Sequence, residues 1–541
     1  KETDLFKMLQ SMDLANLSTL DDATKARIPN LLALRDAIYS AEFREFVSSL
    51  TGCGQLSETT DCACNIHPVG GHLLTHDDVI GDRRVSYIIY LTDPDDPWTE
   101  EDGGALELYP EDPVGTDLDR RADARSDSLF SLCSLSVLTH THTRGARSVR
   151  LFVRQDAPMQ PFPIPSAKAL PIFNSMAMFK VEAGKSFHSI QEVFTSDKPR
   201  MSLQGWFHGP LPEAAGPVKA LPTLAMLQAS MEESDLGRFT AFQSPGRGPE
   251  VNVLRQGDAT PYELTEPDVE YLSKWLNPLY LDGRGTSKLQ KAFEEDGSIH
   301  LLNLLCEGKA KEIKAAMLAA DAADGVGEGR RTAYEVGIGD GWTLRGPAHM
   351  QRYVRYDGAG AGGEDDGGDE TVHKRVGDLL RSVYTELISS VPFANLIRTF
   401  TTLSMTGCQG EVRRFRPGLD YTVAHYGALT KDPRLDVVLT FVNDDSMSSA
   451  SWADGECGGF EAYLLADEDE DGPAEVYRQV QDDDSGVLNV SAGFNALSIV
   501  LRDEGLMRFV KYVSSTAPGS RWDVSAIMLP ADDSDSDDGG A

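Results

Sequence analysis

The sequence predicts a mainly β fold with flanking helices, an α+β chain carrying two barrels in succession. Three observations point there. The chain has 541 residues, more than one hydrophobic core usually supports, so two or more domains are expected. Short runs rich in β-branched and aromatic residues, punctuated by Asp, Pro and Gly, suggest closed or stacked sheets. The third observation is an internal echo. Phe173-Asn174, an apolar run, Gly184 and Phe187 are mirrored by Phe494-Asn495, an apolar run, Gly505 and Phe509. Likewise Gly103 to Tyr109 is mirrored by Gly458 to Tyr463. Each match uses common strand residues, so coincidence stands as the alternative to an ancestral repeat.

The elements follow in order. Ser40 is placed to cap a helix whose Phe43, Phe46, Val47 and Leu50 fall on one face, with Gly52 closing it. From Gly71 the pattern turns to strands, chiefly Arg84 to Leu91 and Gly104 to Tyr109. Between about 113 and 156 the chain is polar and irregular and reads as a long insertion. Strands resume near Ile172 and run to Pro210. Residues 1–240 are therefore expected to form a first domain, 241–264 a linker, and 265–541 a second domain. Thr265 is expected to cap an amphipathic helix carrying Val269, Leu272 and Leu276 at the start of that second domain.

Composition narrows the class. An apolar fraction of 41% is ordinary for a globular protein, and no apolar run approaches the roughly 20 residues of a membrane helix. The formal charge of -35 disfavours direct nucleic-acid binding and favours basic partners. Acidic runs at 364–370, 467–471, 482–484 and the tail from Asp532 read as solvated loops. The seven cysteines are scattered and include no Cys-x-x-Cys pair, which fits a reducing compartment. Cys62, Cys64, His67 and His72 match no common zinc spacing. The chain opens at Lys1 with no initiator Met and no signal-like stretch, and reads as trimmed.

The chemistry concentrates in the first half. His76-Asp77-Asp78 ends an alternating run, and Phe187-His188 follows much later. On an extended strand residues i and i+2 point the same way, so His76 and Asp78 could reach one metal, with His188 completing the set. Two imidazoles and one carboxylate on one face of Fe(II) leave the opposite face open for a chelating cosubstrate and dioxygen. Arg200, twelve residues after His188, offers a guanidinium that could hold the far carboxylate of 2-oxoglutarate through paired hydrogen bonds. A lone His-x-Asp is more often a turn feature; the distal His and Arg in β-rich surroundings distinguish this one. His140 and His142 fall in the insertion, and His208 reads as structural. Trp206 could line a substrate groove or fill a core. Both faces of the run 85–91 are apolar, so alternation does not say which way Tyr90 points.

The stretches His76 to Asp78, Gly81 to Leu91, Gly103 to Tyr109, Ser186 to His188 and Arg200 to Gly209 resemble the eukaryotic ribosomal prolyl hydroxylases of the prolyl 4-hydroxylase-like superfamily. The resemblance continues through Cys408 to Glu411, Tyr421-Thr422, Gly458 to Phe460 and Arg521 to Asp523. It implies two double-stranded β-helix (jelly-roll) domains in tandem, with His76, Asp78 and His188 binding iron and Tyr90 and Arg200 binding 2-oxoglutarate. It also implies a cytoplasmic or nuclear enzyme that hydroxylates a proline of a basic small-subunit ribosomal protein near the decoding centre, with a role in translation accuracy, and admits ascorbate as a further cofactor. In the second half His425-Tyr426-Gly427 stands where a His-x-Asp is expected and Val510 follows Phe509 where the first half has His188, so no iron is expected there. The alternatives are an acidic scaffold with no catalysis, and an oxygenase of the same plan with another protein substrate. A nucleic-acid demethylase is disfavoured by the charge, and a secreted collagen-type hydroxylase by the scattered thiols.

Overall fold

The computed structural model describes residues 2–113, 159–210, 239–244, 263–327, 329, 331–358, 371–424, 432–444, 451–465 and 488–531. The expectations for the insertion beyond Pro113, for the acidic runs and for His140, His142 and His425 to Gly427 lie outside them. The chain divides into two compact units, one of residues 1–218 with 346–350, the other of 219–345 with 351–541.

The strands of the first unit are β1 (Phe6–Lys7), β2 (Leu9–Gln10), β3 (Ala63–His67), β4 (His72–His76), β5 (Arg83–Tyr90) and β6 (Leu106–Leu108). A ribbon of β7 (Glu111–Pro113) and β8 (Met159–Pro161) follows, then β9 (Ala167–Ala169), β10 (Met176–Lys180), β11 (His188–Ile190) and β12 (Arg200–His208). They form two five-stranded sheets, in the orders β10-β5-β12-β3-β2 and β1-β4-β11-β6-β9. Strand β5 explains why alternation was mute: it is buried on both faces, by different partners. Val85 and Tyr87 join Leu203, Phe207, Ile38 and Val47 beneath the helices Pro29–Ile38 and Ala41–Thr51. Ile88 and Tyr90 pack with Leu106 and Ala177 between the sheets. The expected caps are present, with Ser40 accepting from the Phe43 amide and Gly52 left-handed at φ 63°. The single apolar face is not: Val47 is buried, but Phe46 is 51% exposed, because the sheet contacts only part of so wide a stripe.

In the second unit an eight-stranded sheet comprises β13 (Ser298–Leu302), β14 (Trp342–Arg345), β15 (Gln351–Tyr356), β16 (Met405–Phe415), β17 (Tyr421–Thr422), β18 (Arg434–Phe441), β21 (Ala496–Arg502) and β23 (Arg521–Pro530). A three-stranded sheet comprises β19 (Glu461–Leu465), β20 (Leu488–Val490) and β22 (Leu506–Val510). The helix capped by Thr265 spans Glu266–Leu272 with a capping box to Asp268, so Leu276 lies beyond its end. Thr240 and Gln243 make isolated bridges to Cys408 and Ser390 of the second unit. Among the described residues no helix is long and apolar enough to cross a membrane.

Candidate metal centre

Strand β4 ends at His76, and β11 begins at His188 directly opposite it in the antiparallel ladder. Their ring centroids are 4.2 Å apart. Asp78 reaches both imidazoles, with its oxygens 3.2 Å from His76 Nε2 and 3.4 Å from His188 Nε2. The route differs from the expected one. Asp78 is not on an extended strand but in the left-handed region at φ 62°, which Asp tolerates better than most residues. A turn, not the pleat, swings its carboxylate back toward His76. Asp77 faces elsewhere: its Oδ1 accepts from the Val79 amide at 3.2 Å, and its carbonyl accepts from Ser186 Oγ at 2.7 Å. That bond ties the turn after His76 to the approach to His188.

The donor set fits a cation. His76 Nδ1 meets the Leu74 carbonyl at 2.9 Å and His188 Nδ1 meets that of Ser186 at 2.8 Å. A carbonyl only accepts, so each Nδ1 carries hydrogen, which leaves each Nε2 as the ring nitrogen turned toward the Asp78 carboxylate. With both rings neutral, the two Nε2 lone pairs and the carboxylate would suit a shared cation. Among the described residues this is the one cluster of three or more His, Cys, Asp or Glu side chains fit to hold a metal, its ligand atoms all within 4.8 Å of one another. Burial and the neighbouring His76 push the His188 pKa down to about 4, against the pull of Asp78. Burial also opposes protonation of His76, but Asp78 reverses the balance and raises it. At Asp78 burial is outweighed by His188, by His76 and by hydrogen bonds, and the carboxyl is held well below its usual range. One of those bonds, from Ser86 Oγ at 2.7 Å, fixes the carboxylate. The His76 side chain is 26% exposed against 5% for His188 and 8% for Asp78, so the cluster opens on the His76 side.

Ser86 and Tyr90 share the inner face of β5, about 13 Å apart along the strand. Tyr90 sits against Arg200, whose guanidinium carbon is 5.2 Å from the ring centre. Burial raises the Tyr90 pKa, tempered by Arg200, and burial lowers that of Arg200. Arg200 is fully buried. Its Nε donates to the Gly104 carbonyl at 2.6 Å and its Nη1 lies 3.5 Å from His67 Nδ1. The guanidinium therefore does not present the free paired fork expected of it. Gly104 has φ 66°, and a Cβ there would come within 2.8 Å of Arg200 Cδ, so only glycine lets the arginine lie flat. His208 is structural, held by Asp82 at 2.6 Å and Asp61 at 3.0 Å. Arg83 stacks on Trp206 at 3.5 Å from the ring centre. Trp206 is paired with Ser86 across the strands, near the cluster.

The second unit has other chemistry at the corresponding positions. His188 pairs with Leu108, and Arg508 pairs with Tyr463. The glycine pair echoed in the sequence sets the register: a Cβ on Gly103 would strike the Glu192 carbonyl and one on Gly458 that of Tyr512, four residues beyond His188 and Arg508 respectively. In that register Arg508 stands as far before the Gly458 contact as His188 does before the Gly103 contact; Val510 belongs to an apolar core with Val513 and Phe415. Arg521 opens β23 as Arg200 opens β12. Arg508 and Arg521 bind Glu461 at 2.7 and 3.0 Å, while Arg413 grips Asp523 through two bonds and Arg502 holds Asp436 at 3.0 Å.

Residues 62–129 and 146–208 match the family described as the 2OG-Fe(II) oxygenase superfamily. Residues 267–537 match the one described as oxoglutarate and iron-dependent oxygenase degradation C-term. The class is thereby defined: a 2-oxoglutarate- and iron-dependent oxygenase. Over 530 residues the chain is 36% identical to prolyl 3,4-dihydroxylase OGFOD1 of Ostreococcus tauri, spanning 97% of this chain and 88% of that protein. It is 27% identical to prolyl 3-hydroxylase sudestada1 of Drosophila melanogaster (97% and 76% of the two chains) and 25% identical to prolyl 3-hydroxylase OGFOD1 of Xenopus laevis (95% and 77%). Within that class, the chain belongs to the prolyl hydroxylase family of these relatives.

Proposed function

We propose that the first unit hydroxylates a prolyl residue of a basic small-subunit ribosomal protein near the decoding centre, using Fe(II) held by His76, Asp78 and His188 and 2-oxoglutarate anchored by Arg200 and Tyr90. The observation that carries it is the convergence of the His76 and His188 imidazoles and the Asp78 carboxylate, their ligand atoms within 4.8 Å of one another. Bound Fe(II) would supply the redox chemistry by which dioxygen gives one oxygen atom to succinate, formed with carbon dioxide from 2-oxoglutarate, and the other to a C–H bond of the substrate. The chain's own residues do the rest. Ser86 orients the Asp78 carboxylate, the Leu74 and Ser186 carbonyls fix the imidazole tautomers, and the buried Arg200 charge sets where the cosubstrate's far end lies. The more exposed His76 side and the Arg83–Trp206 stack offer a face for the substrate proline, and the acidic chain favours a basic partner.

The relatives' names support a prolyl substrate, and the family match supports iron and 2-oxoglutarate. In this reading the enzyme is cytoplasmic or nuclear, and ascorbate serves as a supporting reductant. The second unit is a jelly-roll domain without catalysis, since Arg508 stands at the place of His188. The test is incubation of the iron-loaded chain with 2-oxoglutarate, ascorbate and a peptide from the ribosomal target, read by mass spectrometry. A single-oxygen mass increment is expected; its absence in iron-loaded protein that still turns 2-oxoglutarate into succinate rejects this substrate. His76→Ala and Asp78→Ala should each abolish succinate formation, and turnover that survives either change removes that residue from the ligand set.

A further inference from the structure

Three strands of the first unit place five polar side chains side by side. Ser202 on β12 pairs with Tyr90 on one side and Asn65 on the other, and Arg200, one inward position along, pairs with His67. All five are buried, Asn65, His67, Arg200 and Ser202 completely. Six of their atoms have no hydrogen-bond partner among the described residues: both amide atoms of Asn65, His67 Nε2, Tyr90 hydroxyl, Arg200 Nη2 and Ser202 Oγ. Folded proteins rarely leave one such buried group unpaired, and six in one patch point to a polar ligand.

Five of the six can donate, Asn65 Oδ1 alone being solely an acceptor. Arginine only donates, so the His67 Nδ1 it faces at 3.5 Å is an acceptor, and neutral His67 carries its hydrogen on the unpartnered Nε2. Burial, with the charges of Arg200 and His72, holds the His67 pKa well below its ordinary value. Arg200, with Nε bound to Gly104 and Nη1 turned to His67, keeps Nη2 as its unpartnered nitrogen. A single guanidinium nitrogen does not satisfy a carboxylate, whose two oxygens accept about four hydrogen bonds.

We infer that His67, Asn65 and Ser202 complete the seat of the cosubstrate's far carboxylate, His67 both steadying Arg200 and, through Nε2, donating beside it, with Asn65 and Ser202 supplying the donors that the partly engaged guanidinium lacks. This rests on the assignment of Arg200 and Tyr90 to 2-oxoglutarate. The seat selects a dicarboxylate: a 2-oxo acid ending in a methyl or an amide leaves the buried charge of Arg200 uncompensated.

The experiment is calorimetric titration of 2-oxoglutarate into the full chain loaded with redox-silent Mn(II), for the wild type, Asn65→Leu and Ser202→Ala, with Mn(II) affinity measured separately. The wild type should bind. The variants should bind 2-oxoglutarate about ten- to a hundredfold more weakly, the scale of a lost hydrogen bond to a charged group, with Mn(II) affinity unchanged and the rise in KM for 2-oxoglutarate exceeding any fall in kcat. If both variants bind 2-oxoglutarate as the wild type does, the inference fails while the assignment of Arg200 and Tyr90 stands. Failure of the Mn(II)-loaded wild type to bind overturns both. Parallel loss of Mn(II) and 2-oxoglutarate affinity in the mild Ser202→Ala variant marks a structural role and also overturns the inference.

Discussion

At the scale of single residues, the proposed metal cluster depends on side chains outside the proposed ligand set. Ser86 is the clearest case, since its 2.7 Å bond to Asp78 orients the carboxylate from the neighbouring sheet. Ser86→Ala is expected to weaken metal binding about tenfold, as measured by metal titration, with the far-UV spectrum unchanged; wild-type affinity would show that Asp78 needs no such brace. Gly104→Ala should destabilise the first unit, because the left-handed backbone and the 2.8 Å approach to Arg200 both resist a methyl group, and a thermal melt reads the loss. His76, Asp78, His188 and Arg200 were legible in the sequence as a spaced pattern. How Asp78 reaches the imidazoles was not, because a left-handed aspartate leaves no signature in its neighbours. Asn65, Ser86 and Ser202 were equally silent: small polar residues within strands are commonplace, and only the register across three strands brings them together.

At the scale of elements, the helix ends were the most legible features, because a cap is a local bond between residues close in sequence. Ser40 and Thr265 both stand where their patterns place them. Ser40→Ala should cost about 1 kcal/mol of stability, and a denaturant midpoint that does not move would show the helix Ala41–Thr51 to be held by packing alone. The exposed Phe46 and the termination before Leu276 were not legible, since tertiary contacts decide which part of an apolar stripe is covered. Strand β5 shows the same limit. Its apolar residues announce burial, but which face meets the helices and which meets the second sheet depends on partners outside the strand, from Ile38 and Val47 before it to Leu106 and Ala177 after it.

At the scale of the whole molecule, the internal echo suggests two related halves, and the second unit is distinguished by the buried charges of its interior. In the second unit Glu461 sits among Arg413, Arg508 and Arg521. Burial alone would raise its pKa, but these arginines bring it down to about 2 from an ordinary 4.5. A depressed carboxyl pKa stabilises the fold above the unfolded value, and that contribution, about 3 kcal/mol, is lost as pH falls from about 4.5 toward 2. Acid unfolding of the second unit should steepen in that window. Glu461→Gln should remove this part of the pH dependence and lower stability near neutrality by about 3 to 5 kcal/mol, because it strips buried arginines of their partner. A variant whose acid unfolding follows the wild type would show that Glu461 does not carry this linkage.

The ion lattice in the second unit has one more implication. The positive charges around Glu461 all come from the chain itself, from Arg413, Arg508 and Arg521. In the first unit the corresponding place is taken by two imidazoles and an acid that await a charge from outside the polypeptide. If the proposed metal site is correct, a chelator should lower the melting transition of the first unit while leaving that of the second where it was.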